Sequence, residues 1–190
     1  MKKPFIIFII ILSYNCAYGT SQAPDILFWE EKEHALYSNP LESYFRIAGK
    51  PRYNFNHKKI EGEEGFFVVS KSSNWRGYIA TWMIENDYLY LLKIVDLSLN
   101  QIDFKKLFET DSEEDKIKAI WFSGQLVIKF GKRLQSVHMG YGLITENEII
   151  IDVDSGKVKN VMHIDNTKKP LPSKDELLKE EFKKCEEWGY

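Results

Sequence analysis

Between residues 65 and 165, short runs of β-branched and aromatic side chains follow one another, most with only a few turn residues between them. No gap in that interval reads as a long helical crossover. Parallel neighbouring strands need a connection of a dozen residues or more, whereas antiparallel ones need only a turn. The runs are Phe66, Phe67, Val68 and Val69; then Tyr78, Ile79, Thr81, Trp82 and Ile84; then residues 88–97 after Glu85-Asn86-Asp87. Residues 117–122 and 125–130 follow, joined by Ser123-Gly124 as a hairpin, and then 143–145 and 148–153 flanking Glu146-Asn147. Residues 157–164 come after Asp154-Ser155-Gly156. These residue types suit a pleated surface. The expectation is a mainly β fold: an antiparallel meander sheet, or a partly open barrel or sandwich.

Helical signals lie at the two ends. Phe28, Trp29, Ala35 and Leu36 recur at roughly helical spacing and predict a short helix before Asn39-Pro40 breaks the chain. Residues 41–47 resume as helical turns until Gly49, Lys50 and Pro51, and 52–65 reads as a polar loop. Phe104 and Phe108, four apart, predict one further pair of turns before the acidic loop 111–115. Near the C-terminus, Ser173 followed three residues later by Glu176 is a capping box, placed after Pro170 and Pro172. Leu178, Phe182, Cys185 and Trp188 then form one stripe, with Asp175–Lys179 and Glu180–Lys184 as outer pairs. Residues 173–188 are thus expected as an amphipathic helix docked on the sheet.

The N-terminus carries an export leader: Lys2 and Lys3, an apolar run from residue 5 to 12, then small Ala17 and Gly19. The run is shorter than the roughly 20 residues that a membrane-spanning helix needs. The division is therefore 1–19 signal peptide, 20–40 lead-in, 41–165 β-rich domain and 173–188 terminal helix. A rival reading makes Cys16 a lipid-attachment cysteine, although Tyr14 and Asn15 precede it where small residues are usual. Cleavage after Gly19 takes Lys and Arg from 26 to 24 against 28 acids, a net charge of about −4. That balance favours neither nucleic acid nor an anionic membrane, so membrane contact is expected only through a lipid on Cys16. Cys185 is then a single thiol, read as a small apolar residue of a helix face.

Three segments act together as a signature. They are Trp75-Arg76-Gly77-Tyr78-Ile79-Ala80-Thr81-Trp82 leading to Tyr88-Leu89-Tyr90-Leu91, then Trp121-Phe122-Ser123-Gly124, then Val137-His138-Met139-Gly140-Tyr141-Gly142. The set resembles a family of uncharacterised bacterial proteins over roughly residues 40–153. The resemblance implies a strand-rich domain. It carries no reaction, ligand or catalytic position.

His138, with Tyr141 beside it, is the first candidate site, because imidazole titrates near neutrality and flanking glycines let backbone approach a ligand closely. Arg76, Tyr78 and Trp82 are the second: with Ala80 they share one strand face, which stacks on a sugar or planar ligand if exposed and lines the core if not. Asp152, Asp154 and Gly156 fail as a calcium loop, since glycine already occupies position five. No HExxH, GxSxG or GxxxxGK[ST] pattern occurs, and the four histidines lack metal-ligand spacing. No catalytic residue, metal or cofactor is assigned. The leading expectation is a non-enzymatic binding or accessory module of the cell envelope, periplasmic or extracellular, whose partner is an envelope protein or glycan. A hydrolase using His138 as acid or base with Asp152 or Glu148, and an inhibitor or immunity-like protein, are the alternatives.

Overall fold

The computed structural model describes residues 20–49, 72–108 and 115–187. The leader, the 52–65 loop, the 66–69 run, residues 111–114 of the acidic loop and Trp188 lie outside these. The elements in chain order are β1 (Asp25–Trp29), β2 (Lys32–Leu36), α1 (Pro40–Ala48), β3 (Tyr78–Glu85), β4 (Tyr88–Asp96), α2 (Phe104–Phe108), β5 (Ile117–Lys118), β6 (Gly124–Ser136), β7 (Leu143–Asp154), β8 (Lys157–Asp165) and α3 (Lys174–Glu187). A short 3-10 turn, Asn166–Lys168, separates β8 from the approach to α3. Among the described residues, seven strands close a barrel in the order β3-β1-β2-β6-β7-β8-β4 and back to β3, with β5 added beside β4. All pairings are antiparallel except β1 with β3.

The mainly β expectation holds, and alternation explains it. Tyr78, Ala80 and Trp82 of β3 point inward with no exposure, against Leu27, Leu36, Leu89, Leu91, Leu126 and Ile151. Each fully buried Leu contributes about 1.5–3 kcal/mol relative to exposure. Pairing slips between Thr81, opposite Lys93, and Trp82, opposite Leu91, so Leu92 is the extra residue of a bulge. Inward positions on β4 accordingly move from 89 and 91 to Ile94.

Three connections differ from expectation. The helix read over residues 28–36 is instead the β1–β2 hairpin, whose turn residues Glu30 and Glu31 both adopt positive φ (49° and 61°). Asn86-Asp87 and Ser155-Gly156 make the same kind of turn, with φ of 50° and 63°, and 49° and 75°. Ser123-Gly124 does not join a hairpin. β5 is only two residues long and pairs with β4, because the chain turns at Ala119 to bury both Ala119 and Phe122. Nor does Glu146-Asn147 break β7. The irregularity falls on β6 instead, where Gly131 (φ 85°) bulges and the Lys132 amide donates to Glu146 Oε2 at 3.0 Å.

The terminal elements follow their caps. α1 begins on Pro40 and ends on left-handed Gly49, and it buries Leu41, Glu42 and Phe45. In α3, Ser173 and Glu176 exchange the reciprocal bonds of a capping box. Its buried line is Leu177, Glu181 and Cys185: Cys185 belongs to the expected stripe, whereas Leu177 and Glu181 take the inward places expected for Leu178 and Phe182, which are half-buried. Lys184 pairs with Glu181 at 2.7 Å rather than with Glu180. Glu181 turns inward because it accepts a buried amide, and the helix rotates with it.

Cys185 is buried, and burial, with Glu181 adding to it, pushes its thiol up to about 11. Less thiolate means slower alkylation. At mildly alkaline pH the native thiol is expected to react with iodoacetamide at least about 100-fold more slowly than in denaturant. Equal rates would show that this part of α3 is undocked.

Candidate functional site

A polar network crosses the barrel interior. Arg76, just before β3, and Asp25, which opens β1, are brought together because β1 and β3 run parallel side by side. Arg76 Nη1 donates to Asp25 Oδ1 at 2.5 Å, Trp82 Nε1 to Asp25 Oδ2 at 3.0 Å and the Ala80 amide to Asp25 Oδ1 at 3.1 Å. Arg76 Nη2 donates to the Ala23 carbonyl at 2.6 Å, and the Tyr78 hydroxyl to Glu42 Oε1 at 2.6 Å. A buried guanidinium needs such partners, since an uncompensated buried ion costs several kcal/mol. Of the second candidate set, Arg76 is 1 % exposed and Tyr78 and Trp82 are 0 %, so their shared face lines the interior.

Tyr141 joins that network from the opposite side. Its hydroxyl donates to Asn39 Oδ1 at 2.7 Å and lies 3.3 Å from the Ala23 carbonyl. Burial raises its phenol well above the ordinary value. Arg76, Trp82 and Tyr141 therefore meet around Asp25 and Ala23, Tyr78 lies beside them with its ring 5.0 Å from the Arg76 guanidinium carbon, and His138 stands apart, exposed.

The loop between β6 and β7 that carries His138 and Tyr141 is fastened from three directions. Gln22 donates its amide to the Gly140 carbonyl at 2.8 Å. Glu181 of α3 accepts the Tyr141 amide at 2.8 Å. Lys129 of β6 donates from Nζ to the carbonyls of Tyr141 (2.9 Å) and Leu143 (2.5 Å). Burial pulls the Lys129 ammonium below its ordinary value, opposed by Glu148 and Glu181. Glycine is required twice: a Cβ at Gly140, whose φ is 51°, would sit 2.5 Å from Glu181 Oε2, and one at Gly142 would sit 2.3 Å from Val137 Cγ2.

Two hollows flank this loop. One of about 410 Å³ is lined by Tyr37, Asn39, Glu42, Arg46, Lys129 and Lys184, among others. The other, about 250 Å³, is lined by Tyr37, Arg133, Ser136, Val137, His138 and Leu143, among others. Tyr37 and Tyr141 border both, with their rings edge to face at 5.6 Å and 89°. They form the wall between the hollows. Outward from His138 an open groove of about 450 Å³ continues past Arg133 and Ser136 to Lys174 at the start of α3.

The carboxylates considered as partners for His138 lie elsewhere. Asp152 accepts from Gln125 and Asn160, and Glu148 stands opposite Lys129 in the β6–β7 register; neither lines the hollow. Asp152, Asp154 and Gly156 serve the β7–β8 turn. Among the described residues no three His, Cys, Asp or Glu side chains converge for a metal ion, and no helix is long and apolar enough to cross a membrane.

Reading the sequence missed Asp25, Tyr37, Lys129, Arg133 and Glu181. For Glu181 a signal existed: Leu177, Glu181 and Cys185 are spaced four apart, which puts the carboxylate on the inward side of α3. Asp25 and Lys129 had none, because their roles depend on strands distant in sequence. Neither a protein family, nor a curated protein, nor a solved structure matches the chain.

Proposed function

We propose that the chain is an exported, non-enzymatic binding module of the cell envelope that holds its partner in the cleft beside residues 138–142. Lys2, Lys3, the apolar run and the small residues Ala17 and Gly19 support export. Lipid attachment at Cys16 is the variant of that reading which tethers the protein to a membrane. The observation that carries the binding role is the Tyr37–Tyr141 wall between two hollows, held by a loop fastened through Gln22, Lys129 and Glu181. A concave site whose walls are already fixed binds without the cost of ordering them. The signature segments, with their resemblance to uncharacterised bacterial proteins, include this loop and add no activity.

Native mass spectrometry on protein purified from its own envelope, beside capture from envelope extract, tests the reading. The wild type is expected to retain a bound protein or glycan that the Tyr37→Ala/His138→Ala double variant loses, at unchanged melting temperature. Identical bound species in both proteins would refute the cleft as the binding site.

A second reading, acid–base hydrolysis, has one observation in its favour: the exposed His138 shares its hollow with the hydroxyl-bearing Ser136 and Tyr141. It requires ester or amide hydrolysis that His138→Ala abolishes.

A further inference from the structure

We infer that the ligand of this cleft is a small amphiphilic anion, with its apolar part in the 250 Å³ hollow and its carboxylate or phosphate facing Arg133, His138 and Lys174. The inference rests on the cleft reading above and names the chemistry that the cleft selects. In a chain with 28 acidic residues and a formal net charge of −2, no carboxylate among the described residues lines either the inner hollow or the groove that continues from it. Both are bordered by Arg133, Ser136 and His138, and the groove also by Lys174. Among the described residues neither Arg133 nor Lys174 has an ion-pair partner.

The cations are placed by the fold. Arg133 follows the Gly131 bulge of β6, where the pairing with β7 changes register. Lys174 is brought near β6 because Gln135 Nε2 donates to the Pro172 carbonyl at 2.6 Å, two residues before the helix begins. A guanidinium fork matches a carboxylate or phosphate with two parallel bonds, and an ammonium adds a point charge.

Deeper in, Pro24, Tyr37, Val137 and Leu143 supply apolar wall. A cavity on the order of 150 Å³ holds benzene, so this one has room for an aryl or short alkyl group. Apolar depth with a cationic exit describes one class of ligand, in which both properties are joined.

Calorimetric titration of the full chain at low salt with phenyl phosphate, benzoate and benzyl alcohol tests this. The two anions are expected to bind, with the tighter one identifying the head group, and benzyl alcohol to bind at least about tenfold more weakly. Arg133→Gln is expected to weaken both anions by about 10- to 100-fold, and Lys174→Gln to weaken them less, whereas Lys159→Gln on β8, which lines neither hollow nor groove, changes neither. Melting curves confirm that each variant is folded.

Benzyl alcohol binding as tightly as the anions, or anion binding indifferent to Arg133→Gln, would overturn the inference while leaving the cleft as an apolar binding site. No binding of any probe also overturns it, and the envelope experiment then decides separately whether the cleft holds a partner.

Discussion

Replacing Asp25 with alanine is expected to lower the unfolding free energy by about 3–5 kcal/mol. The carboxylate has no solvent exposure and accepts from Arg76, the Ala80 amide and Trp82. Its removal leaves a buried guanidinium without that anion and two buried N–H groups without an acceptor. Urea unfolding measures the loss, and a decrease of less than about 1 kcal/mol would show that the network adapts. The double variant Asp25→Ala/Arg76→Met separates the causes. If the uncompensated charge dominates, removing both ions recovers much of the stability, since apolar replacements of buried pairs are often near neutral. If the lost bonds to Ala80 and Trp82 dominate, the double variant remains as unstable as the single one.

Glu181→Ala is expected to cost about 2–3 kcal/mol, from one charge-assisted hydrogen bond and a buried amide left without its acceptor. The effect reaches beyond stability. Glu181 is 1 % exposed, holds the Tyr141 amide and anchors the salt bridge to Lys184. Without it the loop loses its tie to α3, while the bonds to Gln22 and Lys129 and that of the Tyr141 hydroxyl to Asn39 remain. Amide exchange at Tyr141 is expected to accelerate together with a weakening of ligand capture. Glu181→Gln, which retains an acceptor of the same length, is expected to restore most of the protection. A variant that loses stability with Tyr141 still protected would show that α3 and the loop are not coupled through this carboxylate.

The elements that could be read from sequence are those whose turns carry a chemical signal. Asn86-Asp87 and Ser155-Gly156 tolerate positive φ and were legible as turns; Glu30-Glu31 adopts the same geometry without any such residue. The flanking Phe28, Trp29, Ala35 and Leu36 therefore fitted a helical period as well as a strand one. Tertiary pairing decided between them: Ile26, Leu27 and Phe28 take Thr81, Trp82 and Met83 as parallel neighbours. For the site, the glycines at 140 and 142 marked where backbone is crowded, and His138 and Tyr141 came with them. Alternation places Arg76, Tyr78 and Trp82 on one face, but it cannot say whether that face looks inward or outward. The answer depended on Asp25, fifty-one residues from Arg76 along the chain.

The closed barrel is not equally stitched all round. β6 and β7 match along most of their lengths, whereas β2 meets β6 at the Leu36–Ile128 pair and β4 meets β8 at Tyr88–Lys157, each helped by neighbouring backbone bonds. The ring is in effect two curved panels, β4-β3-β1-β2 and β6-β7-β8, hinged at two narrow joints. Tyr37, the divider of the cleft, donates its amide to Val127 across the first of these joints. Thermal breathing there would reshape the cleft well before either panel unravels, so under the proposed binding role a few main-chain bonds would set the pace of entry and exit.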